Sequence, residues 1–202
     1  MAAAACDESH LRSVLLEAFG DSSDSESDAP TGAGGKRWRW EAVAGIRGLW
    51  LCADFLSADE QGRLLAAIQR GEFRFASIFC GVLLEGWFSD AHNQGICAHV
   101  DLMRFDDGIA IVSLESDCVM HFSQVKPGEG TACDILEQGG IESMKVPVHL
   151  NPGSLVLMSG DARYLWKHEI NRKPGAQLWD GRELEQDCRT SVTLRKLLAS
   201  PS

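Results

Sequence analysis

The residues best suited to chemistry in this chain are two histidines, an aspartate and two arginines. His99 and Asp101 form a His-x-Asp pair, and His168 stands far downstream. Two imidazoles and one carboxylate are the donor set that holds Fe(II) on one side and leaves other positions open. Arg189 and Arg195 follow near the end of the chain and could grip a dicarboxylate through paired ionic hydrogen bonds. The five residues predict an iron centre with an anionic cosubstrate beside it.

Alternation along β-strands supports this grouping. Side chains two residues apart share a face of a strand, so His99 and Asp101 point the same way. One face of the predicted last strand carries a polar row, namely Arg189, Ser191, Thr193 and Arg195. That row faces either solvent or a polar cavity. Inside a cavity the positive charges of the two arginines would need an anionic partner, and a bound dicarboxylate could be that partner.

Each part of the pattern also has a plainer interpretation. A His-x-Asp pair occurs by chance, a lone His168 fits a hydrogen-bonded core histidine, and the arginine row fits a solvated strand face. The complete order along one β-rich chain is much less expected by accident. Zinc held by Cys97, His99, Asp101 and His168 is a minor alternative, because closed zinc sites favour cysteine and histidine over aspartate. The remaining histidines are interpreted as non-ligands: His10, His92, His121 and His149.

The elements that must position these residues are one helix and several strands. Ser57 is a predicted helix N-cap with Glu60 as its capping-box partner, and the helix ends near Gly71. The predicted strands cover residues 48–51, 109–114, 118–122, 145–150, 154–158, 163–170 and 189–197, with a loop over 126–140. This order predicts a mainly β domain of the α+β class, a β-sandwich or jelly roll with helical support.

The predicted strand over residues 163–170 presents different side chains on its two faces. Tyr164, Trp166 and His168 share one face, and Arg163 and Lys167 take the other.

The chain is acidic, and its N-terminal part carries much of the charge. The formal net charge is −10, and residues 1–36 hold seven acidic and two basic side chains. Residues 21–35 alternate serine with acids and then become glycine-rich, so they lack the apolar surface needed to order themselves. We predict an acidic, largely disordered tail over residues 1–36 and a folded domain over 45–199. The acidic total argues against capture of nucleic acid by the whole surface but leaves room for a local basic groove.

Bases alternate with tryptophans over residues 36–40. Such a segment could stack and clamp a nucleic-acid strand. The favoured alternative is that Trp38 and Trp40 dock onto the edge of the domain, because burying aromatic side chains is strongly stabilising.

Cysteine usage indicates an intracellular protein. The seven cysteines are irregularly spaced without a Cys-x-x-Cys pair, which is typical of reduced thiols. The sequence shows neither a signal peptide nor a membrane span. We expect a cytoplasmic or nuclear location and no membrane partner.

Three segments, residues 95–101, 159–170 and 189–195, resemble the AlkB family of Fe(II)- and 2-oxoglutarate-dependent dioxygenases. The motifs Arg-Tyr-Leu-Trp-x-His and Arg-Thr-Ser-x-Thr-x-Arg most resemble those of the eukaryotic branch that hydroxylates a modified wobble uridine in tRNA. The resemblance covers residues 45–199 with one gap. It implies a double-stranded β-helix, or jelly roll, and an enzyme that demethylates or hydroxylates alkylated or modified nucleic acid, RNA or DNA.

The resemblance also implies residue roles. His99, Asp101 and His168 would bind Fe(II), Arg189 would pair with the distal carboxylate of 2-oxoglutarate, and Arg195 would sit near its other end. O2 would take the remaining metal position. An oxidised N-methyl group would be lost as formaldehyde, whereas an oxidised methylene would stay hydroxylated.

The gap precedes the His-x-Asp pair. Family members carry an Asn-x-Tyr-x-x-Gly strand there, whose tyrosine helps to hold 2-oxoglutarate. Residues 91–95 instead read Ala-His-Asn-Gln-Gly, and Tyr164 is the only tyrosine of the chain. Residues 71–95 are too few for the family's nucleotide-recognition lid; residues 73–87 could form one strand, in a sheet that loses neighbours.

We interpret the gap as a segment missing between Gln94 and Gly95, which leaves open an incomplete roll and impaired activity. A catalytically silent jelly-roll binding module and a protein hydroxylase are the alternative functions.

Overall fold

A computed structural model describes residues 38–70, 95–126 and 144–198, together with the backbone of strand segments at 31–32, 36–37, 78–79 and 82–90. Residues 1–30, 91–94 and 127–143 lie outside this description, and so do the predicted acidic tail up to residue 30, the proposed Gln94–Gly95 junction and most of the predicted loop over 126–140.

Strands dominate the described chain. They are β1 Thr31–Gly32, β2 Lys36–Arg37, β3 Glu41–Ala42, β4 Leu49–Cys52, β5 Ile78–Phe79, β6 Val82–Asp90, β7 Ile96–His99, β8 Ile109–Leu114, β9 Cys118–Gln124, β10 Val146–Leu150, β11 Leu155–Met158, β12 Trp166–Ile170, β13 Leu178–Trp179, β14 Arg182–Glu183 and β15 Arg189–Lys196. The helices are α1 Ala58–Gln69 and α2 Asp161–Tyr164. No helix among the described residues has the length and apolar character to cross a membrane.

Two antiparallel sheets form the domain. The major sheet has seven strands in the order β3-β4-β11-β8-β15-β6-β5, and the minor sheet has four in the order β10-β9-β12-β7. From β6 to β9 the chain alternates between the sheets. It then adds β10 beside β9 and returns through β11, β12 and β15. This winding of eight strands confirms the predicted jelly roll.

Strand β6 tests the expectation that the roll is incomplete. It covers residues 82–90 rather than 73–87 and runs antiparallel to β15 from Val82, opposite Lys196, to Asp90, opposite Arg189. Because β15 also pairs with β8, it has neighbours on both sides. The expected loss of neighbouring strands is therefore wrong for β15, and all eight strands of the roll are present.

The major sheet is packed on both faces, as alternation requires. On one face Ile109 and Ile111 of β8 join Met120 and Phe122 of the minor sheet in one buried cluster. On the other face Ala110, Val112 and Leu114 join Ile68 of α1 in a second cluster. The described residues thus form three layers, helix, major sheet and minor sheet, and the two sheets enclose a space between them.

Helix α1 begins as the sequence predicts. The Ser57 N–H donates to Glu60 Oε2 at 2.8 Å, and the Glu60 N–H donates to Ser57 Oγ at 3.4 Å, which completes a capping box. The turn before β11 braces this end, because Gly153 accepts a hydrogen bond from the Leu56 N–H at 2.9 Å. Gly153 has φ +84°, and a Cβ there would lie 2.6 Å from the Leu56 carbonyl oxygen, so a larger residue does not fit.

The predicted strand over residues 163–170 is wrong in its first part. Residues 161–164 form α2, and the strand begins at Trp166. A tertiary contact explains the difference: the Gly160 N–H at the start of α2 donates to the Asp107 carboxylate at 2.9 Å. Tyr164 therefore does not share the inner face with Trp166 and His168, and it is 36% exposed.

The two tryptophans before β3 pack onto the domain. Trp38 donates from Nε1 to the Phe55 carbonyl at 3.2 Å, and the two rings lie 5.1 Å apart. Trp40 packs against the helix-side cluster. Docking therefore explains both residues without a nucleic-acid clamp, and packed structure begins ahead of residue 45.

Candidate metal and anion site

Three predicted ligands meet between the sheets at one end of the roll. Strand β7 ends at His99, Asp101 follows it, and His168 lies opposite His99 in strand β12. The imidazole centroids of His99 and His168 are 4.4 Å apart, and the three ligand atoms lie within 4.8 Å of one another. Bonds of about 2.1 Å to one ion would place three ligand atoms on one side of the metal roughly 3 Å from one another, so side-chain movements of about 1 Å suffice. These residues could hold a metal ion.

The ring of His99 is oriented by its own strand. Its Nδ1 lies 2.8 Å from the Cys97 carbonyl oxygen and donates to it, since a carbonyl can only accept. Nε2 then carries the free lone pair that could bind a metal. Metal-binding histidines are commonly fixed by a hydrogen bond from their other ring nitrogen. The Cys97 side chain is exposed and does not join the cluster of possible ligands, which removes the fourth ligand that the zinc alternative needs.

Burial keeps His168 neutral. Its environment lowers the pKa of His168 from 6.5 to about 3, first through desolvation and then through the charge of the neighbouring His99. A metal ligand must present an unprotonated nitrogen, and burial provides one at neutral pH. Because the ring is neutral, the 3.7 Å approach of His168 Nε2 to Asp101 Oδ2 is a contact rather than an ion pair.

The two oxygens of Asp101 have different surroundings. Arg195 Nη2 donates to Oδ1 at 2.6 Å. Oδ2 is buried, faces His168 and has no hydrogen-bond partner among the described residues. A buried carboxylate oxygen without a partner is costly. A cation between Oδ2 and the two imidazoles would remove that cost, so the donor set fits a divalent metal.

Arg195 therefore contacts one of the proposed metal ligands, Asp101. Besides binding Asp101, its guanidinium lies over the Phe105 ring at 5.3 Å from the ring centroid. A place near the other end of a bound 2-oxoglutarate stays a prediction for this residue.

Arg189 is fully buried and only partly hydrogen-bonded. It lies on β15 with 0% exposure, and its Nε donates to Ser113 Oγ at 3.1 Å. Nη1 and Nη2 are buried, and neither has a hydrogen-bond partner among residues 38–70, 95–126 and 144–198. A buried guanidinium with its outer edge open matches a carboxylate, which would accept both free N–H groups together.

The buried Cys118 thiol does not neutralise this arginine. Desolvation raises the pKa of Cys118, and the charge of Arg189 opposes that rise without overcoming it. The Cys118 thiol is thus protonated at neutral pH and leaves the Arg189 charge uncompensated. Ser191 and Thr193 are also buried on this strand, as the predicted polar row requires of a cavity.

Sequence reasoning missed two residues that connect the ligand-bearing segments. The Arg163 guanidinium donates to the Asp101 carbonyl at 3.0 Å, and the Asp107 carboxylate accepts from the Gly160 N–H. The available signal was a charged residue inside the apolar run 162–166, which favours a buried and hydrogen-bonded arginine.

Comparison with known proteins finds sequence relatives. An Arabidopsis thaliana protein named "Alkylated DNA repair protein ALKBH8 homolog" is 32% identical over 110 residues, which cover 53% of this chain and 32% of that protein. A Macaca fascicularis protein named "tRNA (carboxymethyluridine(34)-5-O)-methyltransferase ALKBH8" is 32% identical over 153 residues, covering 60% of this chain and 21% of the relative. The chain thus spans about a third or less of the length of these curated relatives. These matches support AlkB-like family membership.

No protein-family model matches the chain. Among solved structures, one titled "The structure of OsALKBH1" aligns with a TM-score of 0.49 and 13% identity, covering 78% of this chain and 100% of that chain.

Proposed function

We propose that this AlkB-like chain is an Fe(II)- and 2-oxoglutarate-dependent dioxygenase that oxidises alkylated or modified nucleic acid. One observation carries the proposal. Between the same two sheets, the unpartnered Asp101 Oδ2 meets two imidazoles, and Arg189 presents two unpartnered donors. The first feature calls for a cation and the second for an anion, which are the two components of this chemistry.

The metal would be held by His99 Nε2, His168 Nε2 and Asp101 Oδ2. Fe(II) bound there supplies the oxidation, in which 2-oxoglutarate and O2 become succinate and CO2 while one oxygen atom enters a substrate C–H bond. Arg195 fixes the other oxygen of Asp101, so that Oδ2 stays directed at the metal. Burial keeps His168 unprotonated and ready to bind.

Arg189 would receive the distal carboxylate of 2-oxoglutarate. Its Nε bond to Ser113 holds the plane of the guanidinium, leaving Nη1 and Nη2 for a bidentate contact. Complete burial excludes competing water, which strengthens an ionic hydrogen bond. The polar face of β15 supports this placement, because Arg195 on that face is paired with Asp101 whereas Arg189 has no ion-pair partner among the described residues.

The names of the sequence relatives support a nucleic-acid substrate, since they refer to alkylated DNA and to a tRNA uridine. Oxidation of an N-methyl group gives an N-hydroxymethyl product that loses formaldehyde, whereas oxidation of a methylene leaves a stable alcohol. The net charge of −10 argues for local rather than whole-surface recognition. We propose that substrate and strand type are set by contacts near the metal.

Turnover with Fe(II), 2-oxoglutarate and O2 tests the proposal. Methylated single- and double-stranded DNA and RNA oligonucleotides and whole tRNA are offered in parallel, and succinate and formaldehyde are quantified. Substrate-dependent succinate that disappears in His99→Ala is the expected result. Activity that survives this change would place the chemistry elsewhere in the chain.

Two other outcomes would overturn the proposal in favour of the alternative functions. Calorimetry that shows RNA or protein binding but no response to 2-oxoglutarate would indicate a silent binding module. Succinate formed with peptides but with no oligonucleotide would indicate a protein hydroxylase.

A further inference from the structure

We propose that Arg163 is a positioning residue of the metal centre, which holds the backbone that carries Asp101. This inference rests on the metal site of the proposed function. Arg163 lies in α2 and is 2% exposed, which makes it one of the largest fully buried side chains among the described residues. A buried charge of this size requires partners of good geometry.

The outer nitrogens of the Arg163 side chain donate to one short turn. Its Nη1 donates to the Asp101 carbonyl at 3.0 Å, and its Nη2 donates to the carbonyls of Leu102 at 2.7 Å and Phe105 at 3.3 Å. The Phe105 N–H closes the turn by donating to Leu102 at 3.1 Å. The planar fork of arginine thus fixes the peptide group that directly follows a metal ligand and two more within the same turn.

Packing holds only the far end of this turn, where Phe105 is buried and bridged to Leu197. Leu102 and Met103, which follow Asp101 directly, are 59% and 50% exposed. The part of the turn next to Asp101 thus gains little from burial, so its conformation depends more on hydrogen bonds to its carbonyls. Arg163 supplies those bonds from inside the domain.

The arrangement divides the support of Asp101 between two arginines. Arg195 binds one carboxylate oxygen, and Arg163 binds the carbonyl of the same residue. The first sets the rotation of the carboxylate, and the second sets the position of the backbone from which it extends. Both are needed for Oδ2 to face the imidazoles at a fixed distance.

Arg163 also relates one ligand segment to the other. It lies in the turn of helix that leads into β12, which carries His168, and its hydrogen bonds reach the segment that carries Asp101. The Asp107 carboxylate adds a second connection to the start of the same helix. The distance between the two ligands therefore depends on α2 as well as on strand pairing.

Co(II) binding to the full chain tests the inference without turnover. Titration is followed by visible absorption, which reports both affinity and ligand geometry. Arg163→Lys keeps the charge but cannot span three carbonyls, so we expect Co(II) affinity to fall roughly 10- to 100-fold with an altered spectrum. Arg47→Lys is the matched control, because Arg47 also contacts α2, through Asp161 at 3.6 Å, from an exposed position. It should bind Co(II) as the wild type does.

The outcomes separate positioning from general stability. A folded Arg163→Lys protein with wild-type Co(II) affinity and spectrum would overturn the inference, even with a lower unfolding midpoint. Arg163→Gln, which keeps one amide donor, replaces the lysine variant if that variant does not fold. Failure of both variants to fold in excess Co(II) would assign Arg163 to the fold and also overturn the inference, because a positioning defect should be relieved by the bound ion. A wild type that binds no Co(II) would overturn the proposed function as well.

Discussion

Two buried arginines of this protein differ in what surrounds their charge. The two outer nitrogens of Arg163 donate to three carbonyls of its own chain and only its Nε lacks a partner, whereas the two outer nitrogens of Arg189 have none among the described residues and only its Nε is bound. Both are almost completely buried. The contrast indicates that Arg163 works on the protein's own backbone, and that Arg189 is prepared for an anion from outside.

The contrast between Arg163 and Arg189 has functional meaning only if Asp101 is a metal ligand. Asp101→Ala removes a ligand and deprives Arg195 of its carboxylate, so substrate-dependent succinate formation should fall at least about 1,000-fold, equivalent to roughly 4 kcal/mol. Fe(II) binding, measured by calorimetry, should be lost with it. Asp106→Ala is the control, since Asp106 contacts Lys196 at the surface at 3.7 Å and should leave both quantities near wild type. Equal losses in the two variants would contradict the site.

The two arginines should also respond oppositely to replacement by methionine. Arg163→Met leaves three carbonyls without their donor, and we expect the free energy of unfolding to fall by about 3 kcal/mol. Arg189→Met removes a buried charge that is not compensated, so its stability should change by less than about 1 kcal/mol or increase. Urea unfolding of the metal-free proteins measures both. A larger loss for Arg189→Met would mean that the protein itself satisfies this charge.

The affinity for 2-oxoglutarate should depend on Arg189. Loss of a buried bidentate contact in Arg189→Met should raise the Kd for 2-oxoglutarate about 100-fold, or roughly 2.7 kcal/mol. Calorimetry under anaerobic conditions with Fe(II) provides the measurement. Arg182→Met, on the exposed β13–β14 hairpin, is the matched control and should bind normally. An unchanged Kd in Arg189→Met would remove the anion assignment and leave the metal site untouched.

A substitution on the helix side of the major sheet should affect stability alone. Ser57→Ala removes the side chain of the capping box of α1, which should lower the free energy of unfolding by about 1 kcal/mol. Because α1 packs on the face of the sheet away from the metal site, Co(II) and 2-oxoglutarate affinities should not change. Any shift in those affinities would show that the two faces of the sheet are coupled.

Local sequence signals were sufficient where the structure follows local rules. Strand β8 was predicted with its observed bounds, and the capping box of Ser57 and Glu60 is present. Alternation along β15 correctly put Val192 and Leu194, which pack on the helix side, on the face opposite Arg189, which is buried. These features depend on neighbours a few residues apart, which the sequence displays directly.

The same rules were insufficient around α2. The run 162–166 has the composition of a strand, yet contacts with Asp107 and with the turn after Asp101 make its first part helical. Arg195 was predicted beside the cosubstrate, and the structure adds a contact with Asp101 that the sequence did not indicate. Strand periodicity assigns a side chain to a face, but it does not select the partner on that face.

The sequence by itself determined the donor set, its order along the chain and the faces on which most of its members lie, because residue chemistry and strand alternation are local properties. Only the tertiary structure decided which oxygen of Asp101 stays unpartnered, which buried arginine binds carbonyls of its own chain and which keeps its outer donors open. Those differences arise where segments distant in sequence meet in a dry interior, and there each polar group must find a partner in space.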